Sequence, residues 1–246
     1  MRRALMVAIA LVLIVPAAGA WLRGQSDPQT PPKPPVLMPA QVPAPAPAKP
    51  LAGDIKDGIV AISGENPVIN LSMTGGAPNS TSVSFWRVVY SPVGMGHVCY
   101  LTADLSGDGP SKDDLRMAFT DNDDLFGYID TAIMPMLDAA YRKDPVHSWR
   151  ATFARSGDTR TAWKETIASE KHTIELVWRD FKKPFLLDTP MGGTRNPYGI
   201  TSMFLPARAA DVIINGTRVA GQPYARMRGT TPSSSAFLAF SETWVR

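Results

Sequence analysis

The chain has 246 residues, 44% of them hydrophobic and 19% charged, with a net charge of +3. That is apolar material for one large domain or two small ones, and the basic residues are too dispersed to form a nucleic-acid stripe, so no nucleic-acid partner is expected. Cys99 is the only cysteine, which excludes an intramolecular disulfide.

Residues 1–20 read as an export signal. Arg2 and Arg3 form a positive n-region, Ala4 to Val15 an apolar h-region, and Ala18-Gly19-Ala20 a small-x-small cleavage pattern. The rival reading is an uncleaved anchor running to about residue 22 and closed by Arg23, at the short end of the roughly 20 apolar residues a bilayer requires. A membrane partner is expected only in that second case. No cysteine follows the apolar stretch, which argues against a lipoprotein. Cleavage would remove two arginines and leave the mature chain nearly neutral, expected in the periplasm or outside the cell.

Residues 21–50 form a proline-rich linker, with ten prolines between Pro28 and Pro50. Proline removes backbone donors and fixes φ, so this stretch favours polyproline II and cannot build a sheet. At about 3.1 Å per residue the part from Pro28 to Pro50 reaches roughly 70 Å, the length of a spacer.

A single folded domain is expected over 51–246, and its dominant pattern is β. "GIVAI" (Gly58 to Ile62) and "PVINLSM" (Pro67 to Met73) are short strand candidates separated by Gly64-Glu65-Asn66. "STSVSFWRVVY" (Ser80 to Tyr90) and "HVCYLTA" (His97 to Ala103) flank the turn signal "SPVG", which predicts a hairpin. "HSWRATFAR" alternates Trp149, Ala151 and Phe153 with polar residues, and "HTIELVWRD" does the same with Ile174, Leu176 and Trp178. Such period-two patterns place one face in a core and one in water. "ADVIINGTRV" carries the hairpin dipeptide Asn215-Gly216, and "SAFLAFSETWV" is a final strand.

One segment has helical spacing: Leu125, Ile129, Ala132, Met136 and Ala140, with Asn122 or Asp121 as cap. Pro135 should kink it and Gly127 weaken it. The expected fold is therefore mainly β, an antiparallel β-sandwich or calycin-like barrel with one packed helix at about 122–142.

Three constellations bear on chemistry. Met95, His97 and Cys99 are soft-copper ligand types at alternate positions. On a regular strand they lie about 7 Å from one to the next, too far for one ion with bonds of about 2.0–2.3 Å. The alternative places Cys99 in the core. "DLSGDG" (Asp104 to Gly109) matches the first half of a calcium loop through Asp104 and Asp108, but the twelfth position is Leu115 where a glutamate belongs. Copper and calcium are thus the ions to consider, and no cofactor is expected. "DTPMGGTRNPYG" (Asp188 to Gly199) is a long loop in which Arg195, Asn196 and Tyr198 offer a cation, an amide and a ring to a ligand.

The sequence has no Gly-x-Ser-x-Gly, His-Glu-x-x-His or Cys-x-x-Cys motif. The few glutamates, among them Glu65, Glu165 and Glu242, could be paired as catalytic groups only by the fold. The expected function is an exported binding module for a small molecule or a glycan. The alternatives are a periplasmic hydrolase or isomerase with a calycin-type cavity, and a tethered structural protein of the cell envelope.

Overall fold

The structure, a computed structural model, describes residues 59–108, 115–137, 146–192 and 197–246. The segments read from sequence as a leader or anchor (1–20) and a proline-rich linker (21–50) lie outside the described residues. The strands are β1 (Val60–Glu65), β2 (Val68–Leu71), β3 (Thr81–Tyr90), β4 (Gly96–Ala103), β5 (Leu115–Thr120), β6 (Ser148–Gly157) and β7 (Ala162–Ser169). They continue with β8 (Thr173–Phe181), β9 (Phe185–Thr189), β10 (Gly199–Ile214), β11 (Thr217–Arg218), β12 (Ala225–Arg228), β13 (Thr231–Ser234) and β14 (Ala236–Val245).

Pairing runs from β14 through β2, β3, β4, β5, β6, β7, β8 and β10, and β10 returns to β14. The result is a closed nine-stranded barrel, which decides between the two architectures the sequence allowed. Neighbours in the ring are antiparallel except β5 and β6, which are parallel. A parallel pair needs a crossover of a dozen or more residues, and the helical segment supplies it.

Prolines mark the seams. β1 and β2 are one strand broken at Asn66-Pro67, later than the Gly64-Glu65-Asn66 break expected from sequence, and both pair with β3 and β14. β8 and β9 run along β10 in the same way, interrupted at Lys182 to Pro184. Pro206, inside β10, falls opposite that interruption, where a missing backbone donor breaks no ladder bond.

The barrel interior is filled by side chains. Phe85, Phe119, Ile167, Ile174, Leu176 and Trp178 are fully buried in one continuous cluster, with Trp149, Ala151 and Phe153 packed against it. The period-two faces predicted for β6 and β8 are the faces that point inward.

The helical segment packs on the outside of the wall. It consists of α1 (Asp123–Tyr128), a π-helical stretch (Ile129–Ile133) and α2 (Met134–Leu137). Asn122 caps α1, its side-chain oxygen accepting from the N–H groups of Asp124 and Leu125 at 3.1 Å each. Pro135 is the second residue after the π stretch, whose wider turn relieves the clash of its ring with the preceding turn. The extra residue in that turn shifts the buried face. Ile133 and Met134 are buried beside Leu125 and Ile129, while Ala132 and Met136, expected inside, are only partly covered. Ala140 lies outside the described residues. The cover seals the outward side chains Trp86, Val98, Tyr100 and Ala118.

Candidate functional site

Alternate residues of a strand face opposite ways, so the wall that buries Phe85 and Leu101 inside presents Ser84 and Tyr100 outside. Asn66 and Asn70 extend this polar outer surface across the β1–β2 seam. Met134 and Leu137 of the helix bound it on one side, and the β12–β13 hairpin brings Arg226 and Arg228 to the other. Between them lies a groove of about 700 Å³. It is on the outer wall, apart from the packed lumen.

Glu242 sits at the floor of this groove and is buried. Ser241, at φ +50°, marks a register shift in β14 that puts Glu242 and Trp244 on one face. The Trp244 indole N–H donates to Glu242 Oε1 at 2.9 Å, and the Asn66 amide donates to the same oxygen at 3.3 Å. Ser84 in turn donates to Asn66 Oδ1 at 3.3 Å, fixing the amide's orientation. Burial pushes the Glu242 carboxyl above its ordinary value, outweighing the donors from Trp244, Asn66 and Ser202 and the charge of Arg228.

The folded protein therefore holds this proton to higher pH than the unfolded chain does. Stability from the neutral carboxyl is complete below the unfolded value of 4.5 and is lost as pH rises toward the folded value. Glu242→Gln keeps the accepting oxygen and removes the ionisation. It is expected to melt above the wild type at neutral pH and to coincide with it in acid. Melting temperatures across pH check this, and a constant offset at all pH values would contradict it.

A second polar constellation closes the end of the barrel that carries the β3–β4 turn. His97 faces inward there, and both ring nitrogens are engaged. The Arg87 Nε–H donates to His97 Nε2 at 3.1 Å, which leaves Nδ1 to carry the proton toward Asp121 Oδ2 at 2.6 Å. The His97 ring stacks on Phe153, centroids 4.8 Å apart and 14° from parallel. Beyond Arg87 lies Glu165, which accepts from Arg87 Nη2 at 2.7 Å, from Arg155 Nε at 3.1 Å and from the Trp163 indole at 2.9 Å. Glu65 bridges both arginines from β1. Gly96 is required at this end: a Cβ there would fall 2.7 Å from Asp121 Oδ1, which accepts the His97 backbone N–H. With both nitrogens and both oxygens of its partners occupied, His97 is held as part of an ion plug rather than offered as a base or a ligand.

The residues singled out in the sequence are dispersed. Met95 is exposed before β4 begins, while Cys99 is fully buried in the lumen, where burial and then the Glu165 charge push its thiol far up. The two face different environments and do not converge on one ion. Asp104 Oδ1 accepts from the Gly107 N–H at 2.7 Å and from the Ser106 hydroxyl at 3.3 Å, and the same hydroxyl bonds to Asp108. These are the local bonds of an Asx turn. Among the described residues no group of three or more His, Cys, Asp or Glu side chains is placed to hold a metal. Arg195 and Asn196 lie outside the described residues. Tyr198 is buried against Trp244, centroids 5.9 Å apart, and lines a separate cavity of about 470 Å³ with Pro92 and Tyr128. It serves the packing of the wall and does not line the outer groove.

The groove residues were harder to anticipate. "SETWV" does put Glu242 and Trp244 at alternate positions, and "RMR" does the same for Arg226 and Arg228. Nothing local says that these two pairs face one another across the wall.

Fold and site together define a closed β-barrel with a packed lumen and a polar, aromatic groove on its outer wall. No protein-family model matches the chain, and no curated protein matches it. Among the described residues no helix is long and apolar enough to cross a membrane.

Proposed function

We propose that the chain is an exported binding module whose outer groove takes a small molecule or a glycan. The observation that carries this reading is the groove itself: about 700 Å³, floored by amides and hydroxyls, with the largely buried Tyr100 and Trp244 among its lining. Fixed amides and hydroxyls suit a polyhydroxylated ligand, whose hydroxyls find donors and acceptors among them. Export is supported by the charged, apolar and small-residue pattern of residues 1–20. The enzyme alternative is less favoured, because Glu242 is the one carboxyl among the groove's described lining and acid–base hydrolysis of a glycan uses two.

The test is tryptophan fluorescence and amide hydrogen exchange of the full chain against defined di- to tetrasaccharides. A bound saccharide is expected to perturb Trp244 and protect amides of β2, β3 and β4. Tyr100→Ala should weaken it by about fivefold or more, the loss of about 1 kcal/mol of contact. Protection confined to the His97 end of the barrel, or no response to any saccharide, would overturn the reading.

A further inference from the structure

Arg226 and Arg228 occupy alternate positions of β12 and so share a face, the one turned to the groove. The Arg228 guanidinium lies over the stacked rings of Phe204 and Phe237, 5.4 and 5.2 Å from their centroids. Its Nε is buried with no hydrogen-bond partner. Neither arginine forms a salt bridge with any described residue. The two are close enough to feel one another: burial first, then the like charge of Arg226, push the Arg228 guanidinium below its ordinary value.

Half-buried Arg228 calls for a counter-charge, since burying an uncompensated charge is unfavourable, and the exposed Arg226 places a second cation beside it. The groove supplies only part of one: the charge of Glu242 works against the downward shift of Arg228 but does not cancel it. Glu242 is its only acidic lining residue among those described, its Oε1 is taken by Trp244 and Asn66, and its burial favours the neutral form. The hairpin thus presents planar donors with nothing to receive them, at one end of a surface otherwise made of hydroxyls, amides and rings.

We infer that the groove takes an acidic saccharide, with the ligand's oxyanion held by Arg226 and Arg228 and its sugar rings lying along Asn66, Ser84 and Tyr100. This rests on the binding reading above and narrows it. A uronate carboxylate and a sugar phosphate share the needed chemistry, an oxyanion with two acceptor oxygens that a guanidinium can grip from one side.

The test uses the full chain and calorimetry at low and moderate salt with four probes: trigalacturonate, its methyl ester, glucose 6-phosphate and inorganic phosphate. The ester keeps the rings and removes the charge. Trigalacturonate or the sugar phosphate is expected to bind at least about tenfold more tightly than the ester, and the preference between them identifies carboxylate or phosphate as the source. Arg226→Gln, on an exposed side chain that the fold does not need, should lose most of that preference. Arg228→Gln should lose it too, and Arg228→Lys should restore part of it. Added salt should weaken the acidic probes and leave the ester unchanged. An ester that binds as tightly as the acid, with both glutamine variants unaffected, would overturn the oxyanion inference and leave the groove standing as a neutral-glycan site. Binding of inorganic phosphate as tight as that of both acidic saccharides would also overturn it, as simple anion capture without the sugar. Silence from all four probes, with a neutral saccharide bound in the groove, would likewise reject the acid and keep the site.

Discussion

Glu165→Ala is expected to lower the unfolding free energy by about 3–5 kcal/mol, the cost of removing one partner from a buried ion cluster. Glu165 is fully buried on the inward face of β7, directly opposite Arg155 in the ladder with β6. It accepts from Arg87, Arg155 and Trp163. Its loss leaves two guanidinium groups sharing Glu65 alone and orphans the indole N–H. Arg87 would then lose the anchor that aims its Nε at His97, so the effect should spread to the Asp121 pairing at the barrel's end. Urea unfolding followed by tryptophan fluorescence measures the loss. A companion variant makes the mechanism visible. Replacing Glu65, Arg87, Arg155 and Glu165 together by Leu, Met, Met and Leu removes charges and counter-charges at once, and should cost less than Glu165→Ala alone. If Glu165→Ala costs under about 1 kcal/mol, the cluster is solvated and does not hold the barrel end together.

The same cluster explains which parts of the fold the sequence discloses. β6 and β8 are legible because Trp149, Ala151 and Phe153 in one, and Ile174, Leu176 and Trp178 in the other, make their inward runs apolar at alternate positions. β7 is not, because an inward position is Glu165, and "WKETI" loses the alternation that marks a half-buried strand. The β3–β4 hairpin is legible because its turn chemistry is local. Closure is not, because it depends on β10 meeting β14 and on β5 meeting β6, pairings between segments far apart in the chain. Alternation states only that a strand has two faces, and a sandwich and a barrel satisfy it equally. The helix shows the limit on a smaller scale. Its existence, its Asn122 cap and the disturbance at Pro135 follow from residue chemistry, but the π turn moved the buried face by one position, and no periodicity in the sequence announces that.

The candidate site was less legible for a related reason. The chemically conspicuous residues, His97, Cys99 and the Asp104–Asp108 turn, are each accounted for by neighbours that the fold supplies. The groove is assembled from ordinary asparagines, serines and arginines of four separated segments. Their significance lies in what the fold brings beside them: Asn66 from the β1–β2 seam on Glu242 of β14, and an arginine pair with no salt-bridge partner among the described residues.

Trp244→Ala is expected to cost a comparable amount, about 3–5 kcal/mol, and to couple stability to the groove. Trp244 is almost fully buried on β14 and packs edge-on against Trp86, centroids 5.9 Å apart, and against Tyr198 on the other side. Truncation opens a cavity between the wall and the helical cover and removes one of the three donors to Glu242. Trp244→Phe separates these roles, because it keeps much of the packing volume and deletes only the indole N–H. It should cost less than the alanine variant. The indole bond favours the ionised carboxyl, so deleting it should move the titration of Glu242 still higher. The deficit of Trp244→Phe should therefore widen as pH rises through the range where the wild-type carboxyl ionises, and be smallest in acid, where the carboxyl is neutral in both proteins. Paired melting curves across pH, with carboxyl chemical shifts of Glu242, measure the two effects at once. A phenylalanine variant whose deficit is the same at every pH would show that the indole contributes packing alone, and that the burial of Glu242 is set by the wall and not by its donors.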